Sequence, residues 1–187
     1  MKDKIANDIR DSIAVKESLL KEHLPLIEKA VSLVADCIKR GNKLLFFGNG
    51  GSASDSQHLA AEFVGRYEKE RRALAAIALT TDTSILTAVG NDYGYEKVFE
   101  RQVEALGAGG DVAFAISTSG NSKNVIAAVK RAKEKGLQVI GLTGGTGGQM
   151  KTLVDLPIVV PSIKTSRIQE CHILIGHIIC ERVDELL

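Results

Sequence analysis

The chain has 187 residues, of which 44% are apolar and 25% are charged, and its formal net charge is +1. This length suits one domain that buries a sizeable core without disulfides or metal ions as staples. The near-neutral charge gives no electrostatic reason to expect nucleic acid or an anionic membrane as a partner. We therefore expect a single soluble unit covering residues 1–187.

The cysteines are Cys37, Cys171 and Cys180, an odd number without Cys-x-x-Cys spacing. This pattern indicates neither a disulfide framework nor a zinc ribbon, so we expect the reducing cytoplasm as the location. The first fifteen residues mix acids and bases and lack the apolar core of a signal peptide. No stretch approaches the roughly 18 apolar residues that span a bilayer, and we expect neither secretion nor membrane insertion.

The first forty residues place apolar side chains at helical spacing, with Pro25 as an interruption and Gly41 as a stop. This pattern predicts two helices or one kinked helix. Short apolar runs of strand length then follow, each bounded by Gly, Ser, Thr, Asn or Asp. These runs are 44–47, 74–79, 112–116, 139–142 and 158–160.

Helical stretches separate the apolar runs at 52–67, 84–88 with 95–106, 124–135, and in a short segment before Leu156. Strands that alternate with crossovers of this length predict an α/β fold, with a five-stranded parallel sheet flanked by helices on both faces. The last segment, 167–187, is apolar on nearly every side. A helix tolerates this only when it is buried within the fold or between subunits, so we expect an oligomer.

The first predicted strand leads directly into Gly48-Asn49-Gly50-Gly51-Ser52. Ser52-x-x-Asp55 is typical of a capping box that opens a helix. Glycines let a ligand approach the backbone, and the N-terminus of a helix favours an anion. The turn therefore indicates a phosphate site, although a tight turn with a helix cap explains it as well.

Two familiar phosphate motifs compete at this turn. Gly48-x-Gly50-x-x-Ala53 fits the relaxed dinucleotide fingerprint, but that motif requires an acid about 20 residues further on. The first acid after the next predicted strand is Asp82, much further along the chain. A P-loop is excluded because no Gly-Lys-Ser/Thr follows.

A second polar turn, Ser117-Thr118-Ser119-Gly120-Asn121-Ser122, follows the third apolar run and precedes a predicted helix. Its hydroxyls can donate to phosphate oxygens at the helix N-terminus, or they can simply cap that helix. Both turns are expected at the carboxyl edge of one parallel sheet, where open α/β folds bind ligands. Together they indicate a phosphorylated ligand more specifically than either turn alone.

His58 and Glu62 are four residues apart on the helix after the first turn, so they share a face and can converge on one proton or one metal. A solvated stripe with a Glu62–Arg66 ion pair is the alternative. An aldose–ketose isomerase needs one group that removes a proton next to a carbonyl and one that protonates the carbonyl oxygen, both near a fixed phosphate. A Glu, a His and two serine-rich turns meet that requirement.

The C-terminal segment carries Gln169, His172 and His177 among apolar residues. Ser166-x-x-Gln169 also fits a capping box. His177 is a candidate for chemistry or a hydrogen-bonded core histidine, and we assign His172 a structural role. Asn91-Asp92-Tyr93-Gly94 has the composition of a turn whose polar pair can contact a sugar hydroxyl.

Taken together, five motifs resemble the SIS family of sugar-phosphate proteins, and within it the phosphoheptose isomerases, over nearly the whole chain. The motifs are Gly48-Asn49-Gly50-Gly51-Ser52, Asp55-x-Gln57-His58-x-x-x-Glu62, Asn91-Asp92, Ser117-Thr118-Ser119-Gly120 and Arg167-Ile168-Gln169-Glu170. The resemblance implies one SIS domain of flavodoxin-like three-layer architecture, with N-terminal helices and a buried C-terminal helix. Ser166 departs from some relatives, which have Asp before the Arg-Ile-Gln motif.

The resemblance implies conversion of sedoheptulose 7-phosphate to D-glycero-D-manno-heptose 7-phosphate through an enediol, the first step toward nucleotide-activated heptoses of bacterial surface polysaccharides. Glu62 would be the base and His177 the acid. The groups that would bind substrate are Asn49, Gly50, Gly51, Ser52, Glu62, Asn91, Asp92, Ser117, Thr118, Ser119, Ser122 and Gln169.

The resemblance also implies zinc held by His58, Glu62, Gln169 and His177, a cytoplasmic tetramer, and no nucleic-acid or membrane partner. Gln169 and His177 are eight residues apart, about 12 Å along a straight helix. We therefore expect either a site completed across a subunit interface or Gln169 lying before the regular helix. The alternative function is a non-catalytic SIS binding protein that associates with a replication initiator, a type that lacks equivalents of Glu62 and His177.

Overall fold

Two helices open the chain: α1, Lys2–Glu22, and α2, Leu24–Lys39. The computed structural model describes all residues from 1 to 187. The helices meet at His23, and Pro25 lies in the first turn of α2, where its missing N–H has no helical partner to lose. Gly41, with φ of +79°, follows α2. The prediction of two helices is confirmed.

Five parallel strands form one sheet in the order β2-β1-β3-β4-β5. Their bounds are Leu44–Gly48 for β1, Ala76–Ala78 for β2, Val112–Ile116 for β3, Gln138–Gly144 for β4 and Leu156–Val160 for β5. Every residue of β1 and β3 is buried, which explains their unbroken apolar sequences. The predicted five-stranded parallel sheet is confirmed, and its strand order is the flavodoxin-like one.

Six further helices connect and flank the strands. They are α3, Gly51–Val64; α4, Thr83–Tyr93; α5, Val98–Leu106; α6, Lys123–Glu134; α7, Met150–Leu153; and α8, Thr165–Leu186. A short 3₁₀ helix, Tyr95–Lys97, precedes α5. No helix combines the length and the apolar character that crossing a bilayer requires.

Alternate residues of β1 face two different cores. Phe46 stacks on Phe63 of α3 and on Phe114 of β3, with ring centroids 6.1 and 4.7 Å apart. Phe47 faces the other side and meets Phe99 of α5 at 5.8 Å. The first core joins α1, α2, α3 and α8 to the sheet, and the second joins α5, α6 and α7 to it. This gives the expected three layers.

The C-terminal helix α8 packs on the first core, and its apolar side chains Ile168, Ile175, Ile179 and Val183 are buried. The prediction of a buried C-terminal helix is confirmed. By contrast, α1 leaves an apolar stripe open, because Ile5, Ile9 and Ile13 recur every fourth residue and are 52%, 57% and 51% exposed.

Candidate active site

The two polar turns leave the sheet side by side. Gly48, the last residue of β1, is paired with Ile116, the last residue of β3, so both turns begin at the same level of the carboxyl edge. The strand order also reverses here, since β2 lies on one side of β1 and β3 on the other. The crevice at such a reversal binds ligands in open α/β folds. The prediction that both turns share one edge is confirmed.

The first turn enters α3 through glycine. Gly50 is the N-cap residue with φ of +58°, and no side chain caps the helix. Neither Gly50 nor Gly51 donates its amide to another backbone group, so these N–H groups are free for an anion. The predicted Ser52-x-x-Asp55 capping box is wrong, because Ser52 is already the second residue of the helix. Ser52 is 3% exposed.

The second turn gathers hydroxyl groups at the start of α6. Ser117 Oγ lies 2.9 Å from Ser122 Oγ, and Ser122 is the N-cap residue but makes no capping hydrogen bond. Ser119 Oγ accepts a hydrogen bond from the Asn121 amide at 3.2 Å. Ser117 is buried, Thr118 is half-buried and Ser119 is exposed. The turn thus supplies the N-cap residue of α6, as the alternative of a helix cap expected, but the Ser122 side chain makes no capping hydrogen bond.

A pair of amides joins the two turns. Asn49 Nδ2 donates to Asn124 Oδ1 at 2.9 Å, and Asn124 Nδ2 donates back to Asn49 Oδ1 at 2.8 Å. Tyr95 Oη lies 3.5 Å from the same Asn49 oxygen. Asn124 is 4% exposed. Our sequence prediction gave Asn124 no role, because only the folded sheet brings it next to a residue 75 positions earlier.

Helices α3 and α8 run side by side in the same direction. Gln169 lies against Gly51 at their amino ends, and Gly176 lies against Leu59 further along. The missing side chain of Gly176 is what lets Leu59 approach, because a Cβ there would be 2.5 Å from Leu59 Cδ2. This alignment brings residues about 118 positions apart into contact at both of these levels.

His58, Glu62 and His177 meet on this helix pair. His58 Nε2 is 3.1 Å from Glu62 Oε1 and 3.0 Å from His177 Nε2, and one donor atom of each residue lies within 4.8 Å of the others. The alternative Glu62–Arg66 ion pair is wrong, since Arg66 instead pairs with Glu70 at 3.5 Å. His177 is only partly buried and faces His58, so the reading of it as a core histidine is also wrong.

The donor set of His58, Glu62 and His177 fits a zinc ion. Two His nitrogens and one carboxylate oxygen are ligands that catalytic zinc takes, with the fourth position left open. Donors 2.0–2.1 Å from a tetrahedral zinc lie about 3.3 Å from each other. The spacings of 3.0 and 3.1 Å are close to that value.

Gln169 lies within regular helix, because α8 begins at Thr165 and its N-cap residue is Lys164. Two expectations are therefore wrong: Gln169 does not precede the helix, and Ser166-x-x-Gln169 is not a capping box. Gln169 is next to Gly51 of the first turn. Its eight-residue separation from His177 corresponds to about 12 Å along the helix.

Asn91 and Asp92 lie on α4, and both are exposed. The predicted turn at 91–94 is wrong for its first three residues, because the helix continues to Tyr93 and ends at Gly94, with φ of +85°. Asn91 Nδ2 donates to Asp92 Oδ1 at 2.8 Å, and no hydrogen bond links this pair to the two turns. The structure does not bring the pair into contact with the other predicted site residues.

Asp55 on α3 and His172 on α8 have shifted pKa values. Burial raises the pKa of Asp55 to about 6, and its Oδ2 atom has no hydrogen-bond partner. Burial lowers the pKa of His172 to about 4. His172 is fully buried and its Nε2 donates to the Thr143 carbonyl at 3.0 Å, as its assigned structural role requires.

Known proteins resemble this chain over its full length. The SIS domain family model matches residues 9–144. The phosphoheptose isomerase of Aquifex aeolicus (strain VF5) is 53% identical over 187 residues, which cover 100% of this chain and 98% of that protein. The phosphoheptose isomerase of Aneurinibacillus thermoaerophilus is 54% identical over 189 residues, covering 100% and 96%.

Solved structures of phosphoheptose isomerases have the same fold as this chain. A phosphoheptose isomerase structure from Neisseria gonorrhoeae superposes with a TM-score of 0.94 at 46% identity, covering 98% of each chain. One from Francisella tularensis has a TM-score of 0.95 at 39% identity, covering 98% of this chain and 97% of that one. These full-length relatives are enzymes by name, which speaks against the non-catalytic binding protein. The chain therefore belongs to the SIS-domain family and, within it, to the phosphoheptose isomerases, which are phosphosugar isomerases.

Proposed function

We propose that this protein converts sedoheptulose 7-phosphate to D-glycero-D-manno-heptose 7-phosphate, with residues 1–187 acting as one SIS domain. The observation that carries the proposal is the meeting of His58, Glu62 and His177 on the helix that follows the first polar turn and its neighbour α8. Relatives named phosphoheptose isomerase, identical at half or more of the aligned positions, support this choice of substrate.

The phosphate is held by the two turns at the sheet edge. Its oxygens accept hydrogen bonds from the free amides of the first turn and from the hydroxyl groups of both turns. These hydroxyl groups belong to Ser52, Ser117, Thr118, Ser119 and Ser122. The sugar is contacted by Asn49, Asn91, Asp92 and Gln169, with Gly50 and Gly51 leaving room for it. Contact with Asn91 and Asp92 requires that the substrate extend toward α4.

Glu62 and His177 carry the proton transfers. Glu62 removes a proton from carbon 1 of the ketose, and His177 donates a proton to the carbonyl oxygen at carbon 2, which gives the enediol. Return of a proton to carbon 2, with loss of the proton from the carbon 1 hydroxyl, completes the aldose. The two side chains both lie next to His58, so they can act on adjacent atoms of one substrate.

Zinc is the proposed cofactor, held by His58, Glu62, Gln169 and His177. Bound there, it supplies a Lewis acid for a carbonyl oxygen. A carboxylate that ligates zinc is a weaker base, so either zinc would itself polarise the carbonyl, or zinc binding and proton transfer would alternate at Glu62 and His177. The chelation experiment below separates a catalytic from a structural ion.

We also propose a cytoplasmic homotetramer with active sites at subunit interfaces. The exposed Ile5, Ile9 and Ile13 on α1 support an association surface, because a helix rarely leaves such a stripe in water. The 12 Å spacing between Gln169 and His177 supports a site shared between subunits. Sedimentation velocity tests the assembly, and a monomer at micromolar concentration would contradict it.

The decisive experiment measures turnover of sedoheptulose 7-phosphate by purified, metal-stripped enzyme before and after zinc is restored. We expect the aldose phosphate to form, detected by ¹H NMR, and the rate to rise with zinc but not with magnesium. Full activity in the stripped enzyme with unchanged melting temperature would remove zinc from the proposal. No turnover under any metal condition, together with stoichiometric binding of a replication initiator, would replace the enzyme by the binding protein.

A further inference from the structure

Arg71 lies outside every motif discussed so far, yet its guanidinium is almost fully enclosed. Nη2 donates to the Glu62 carbonyl at 3.0 Å, and Nη1 donates to the Phe63 carbonyl at 3.0 Å. Nε donates to Asp184 Oδ1 at 2.6 Å. The side chains of Arg71 and Asp184 are 11% and 2% exposed. One cation thus joins the end of α3 to α8.

The two carbonyls belong to the last turn of α3, which ends at Val64. The last four carbonyls of a helix lack partners within the helix, and a cationic side chain near the C-terminus satisfies them and complements the helix dipole. Because one of these carbonyls belongs to Glu62 itself, Arg71 holds the backbone of the proposed base directly.

Asp184 is seven residues after His177 on α8. Seven residues are almost two full helical turns, so Asp184 and His177 lie on the same face. Lys69 Nζ also donates to the Asp184 carbonyl at 3.3 Å. The segment that follows α3 therefore contacts α8, through Lys69 and Arg71, on the face that carries His177.

We propose that Arg71 and Asp184 form a positioning brace that sets the separation and rotation of α3 against α8, and thereby the meeting of His58, Glu62 and His177. The inference rests on the proposed function for the roles of those three residues. Gly51–Gln169 and Leu59–Gly176 are contacts at earlier levels of the helix pair, and the brace fixes its carboxyl end. A displacement of about 1 Å between catalytic groups costs roughly 100-fold in rate, so fixing this end matters for chemistry.

A second ion pair with a buried carboxylate, Lys43–Asp111, does not contact α3 or α8 and serves as a control for Arg71–Asp184. Lys43 Nζ lies 2.6 Å from Asp111 Oδ2, and the Asp111 side chain is 1% exposed. Asp111 also accepts from the amides of Lys43 and Ala108. These residues directly precede β1 and β3, at the amino edge of the sheet, opposite the site. Asp111→Asn therefore damages a buried ion pair of similar kind far from the chemistry.

The test compares Arg71→Lys and Asp184→Asn with Asp111→Asn in the full-length protein. Melting temperature, zinc affinity by competition with a chromophoric chelator, kcat, KM and the pH dependence of kcat are measured for each. We expect both brace variants to bind zinc about tenfold or more weakly and to lose at least about tenfold in kcat, as supporting residues of metal sites do. Their KM should stay within about twofold of wild type, because the two polar turns are unchanged. The pH dependence of their kcat should shift. Asp111→Asn should lower only the melting temperature.

Wild-type zinc affinity and kcat in both brace variants, at a lowered melting temperature, would overturn the brace and leave the proposed function intact. Absence of both turnover and zinc binding in the wild type would overturn the proposed function and the brace with it. If a brace variant does not fold, Asp184→Glu takes its place, since it keeps the charge but displaces the carboxylate by one methylene. A kcat in Asp184→Glu equal to that of wild type would then count against the brace.

Discussion

The side-chain amide of Gln169 lies directly over Gly51, so closely that a Cβ on Gly51 would be 2.3 Å from Gln169 Nε2. This contact joins the last glycine of the first polar turn, where α3 begins, to α8. Gln169 can keep its position only while residue 51 has no side chain. The glycine is therefore required by a neighbour rather than by the backbone conformation of the turn.

Gly51→Ala should displace Gln169 without harming the fold. Alanine is favoured over glycine inside a helix by up to about 1 kcal/mol, so the melting temperature should stay level or rise. We expect kcat/KM to fall by about tenfold or more, because a group proposed to contact substrate and zinc is moved. Gly90→Ala on α4 is the control, as its Cβ would be 3.9 Å from Val98 Cγ1. Equal kcat/KM in the two variants would exclude Gln169 from the site.

Asn124→Asp should break the hydrogen-bonded link between the two polar turns. The carboxylate cannot donate to Asn49 Oδ1, and it adds negative charge close to the proposed phosphate site. We expect KM for the sugar phosphate to rise about tenfold, measured by steady-state kinetics. Gln138→Glu adds the same charge at the opposite edge of the sheet and should leave KM unchanged. The prediction is wrong if both variants have the KM of wild type.

Glu62→Gln should fold normally and lose at least about 100-fold in kcat, the low end for removal of an acid–base group. Glutamine has the same size but cannot accept the substrate proton. Glu70→Gln, at an exposed position paired with Arg66, is the control and should retain full activity. Circular dichroism and single-turnover rates check the fold and the chemistry separately. Near-normal turnover of Glu62→Gln would exclude this residue from proton transfer.

His172 should make the fold sensitive to acid. Its pKa is about 4 in the fold and 6.5 when unfolded, so between these values the unfolded chain binds the extra proton. Stability from neutral His172 is therefore complete above pH 6.5 and decreases as the pH falls toward 4, by on the order of 3 kcal/mol at most. His172→Gln should remove this dependence when urea unfolding is compared with wild type at each pH. If the difference in unfolding free energy between wild type and His172→Gln is the same at every pH, the prediction is wrong.

Asp55 should make the fold less stable as the pH rises, the opposite of the effect of His172, over nearly the same pH range. Its pKa of about 6 in the fold exceeds the unfolded value of 3.8, so the folded protein holds the extra proton between them. This contribution to stability is complete below pH 3.8 and is lost as the pH rises through 6. Asp55→Asn should therefore raise the melting temperature relative to wild type at pH 8 and lose that advantage by pH 4. If the gain in melting temperature of Asp55→Asn over wild type grows as the pH falls, the predicted direction of the pH dependence is wrong.

Buried strands were the most predictable part of the fold. The predicted run 112–116 coincides with β3, and 44–47 differs from β1 by one residue, because strands covered on both faces have uninterrupted apolar sequences with polar or glycine neighbours. The edge strand β2 is shorter than predicted, and its central Ile77 is 37% exposed. Apolar content alone does not fix where an edge strand stops pairing.

Helix ends were less predictable. Ser52 and Ser166 have the spacing of capping residues, yet both helices begin one residue before the serine. Asn91 and Asp92 have turn composition, yet the helix that Asp82 caps through the Ile85 amide continues past them. At α3 a glycine N-cap, and at α4 an earlier Asp cap, outweighs the local preference of the side chain; α8 begins after Lys164 without a side-chain cap.

The alternation of strands and helices predicted that the two polar turns share one edge of the sheet, but contacts between side chains were predictable only within one helix. His58 and Glu62 follow from helical spacing, whereas the approach of His177 across 119 positions depends on how α3 and α8 pack. The resemblance to a known family provided that part of the assignment. Asn124 and Arg71 belong to no motif, because their roles come from hydrogen bonds to segments that only the folded chain brings near.

The two polar turns begin at the ends of β1 and β3, which are paired, fully buried strands inside the sheet. Amide hydrogens of such strands exchange with solvent mainly when the whole domain unfolds, whereas edge strands and exposed helices open locally. The first residues of the two turns are thus held at a fixed spacing in every folded molecule. The conformational entropy of these turn ends is lost during folding, so the sugar phosphate proposed to bind here would meet a site that is already ordered.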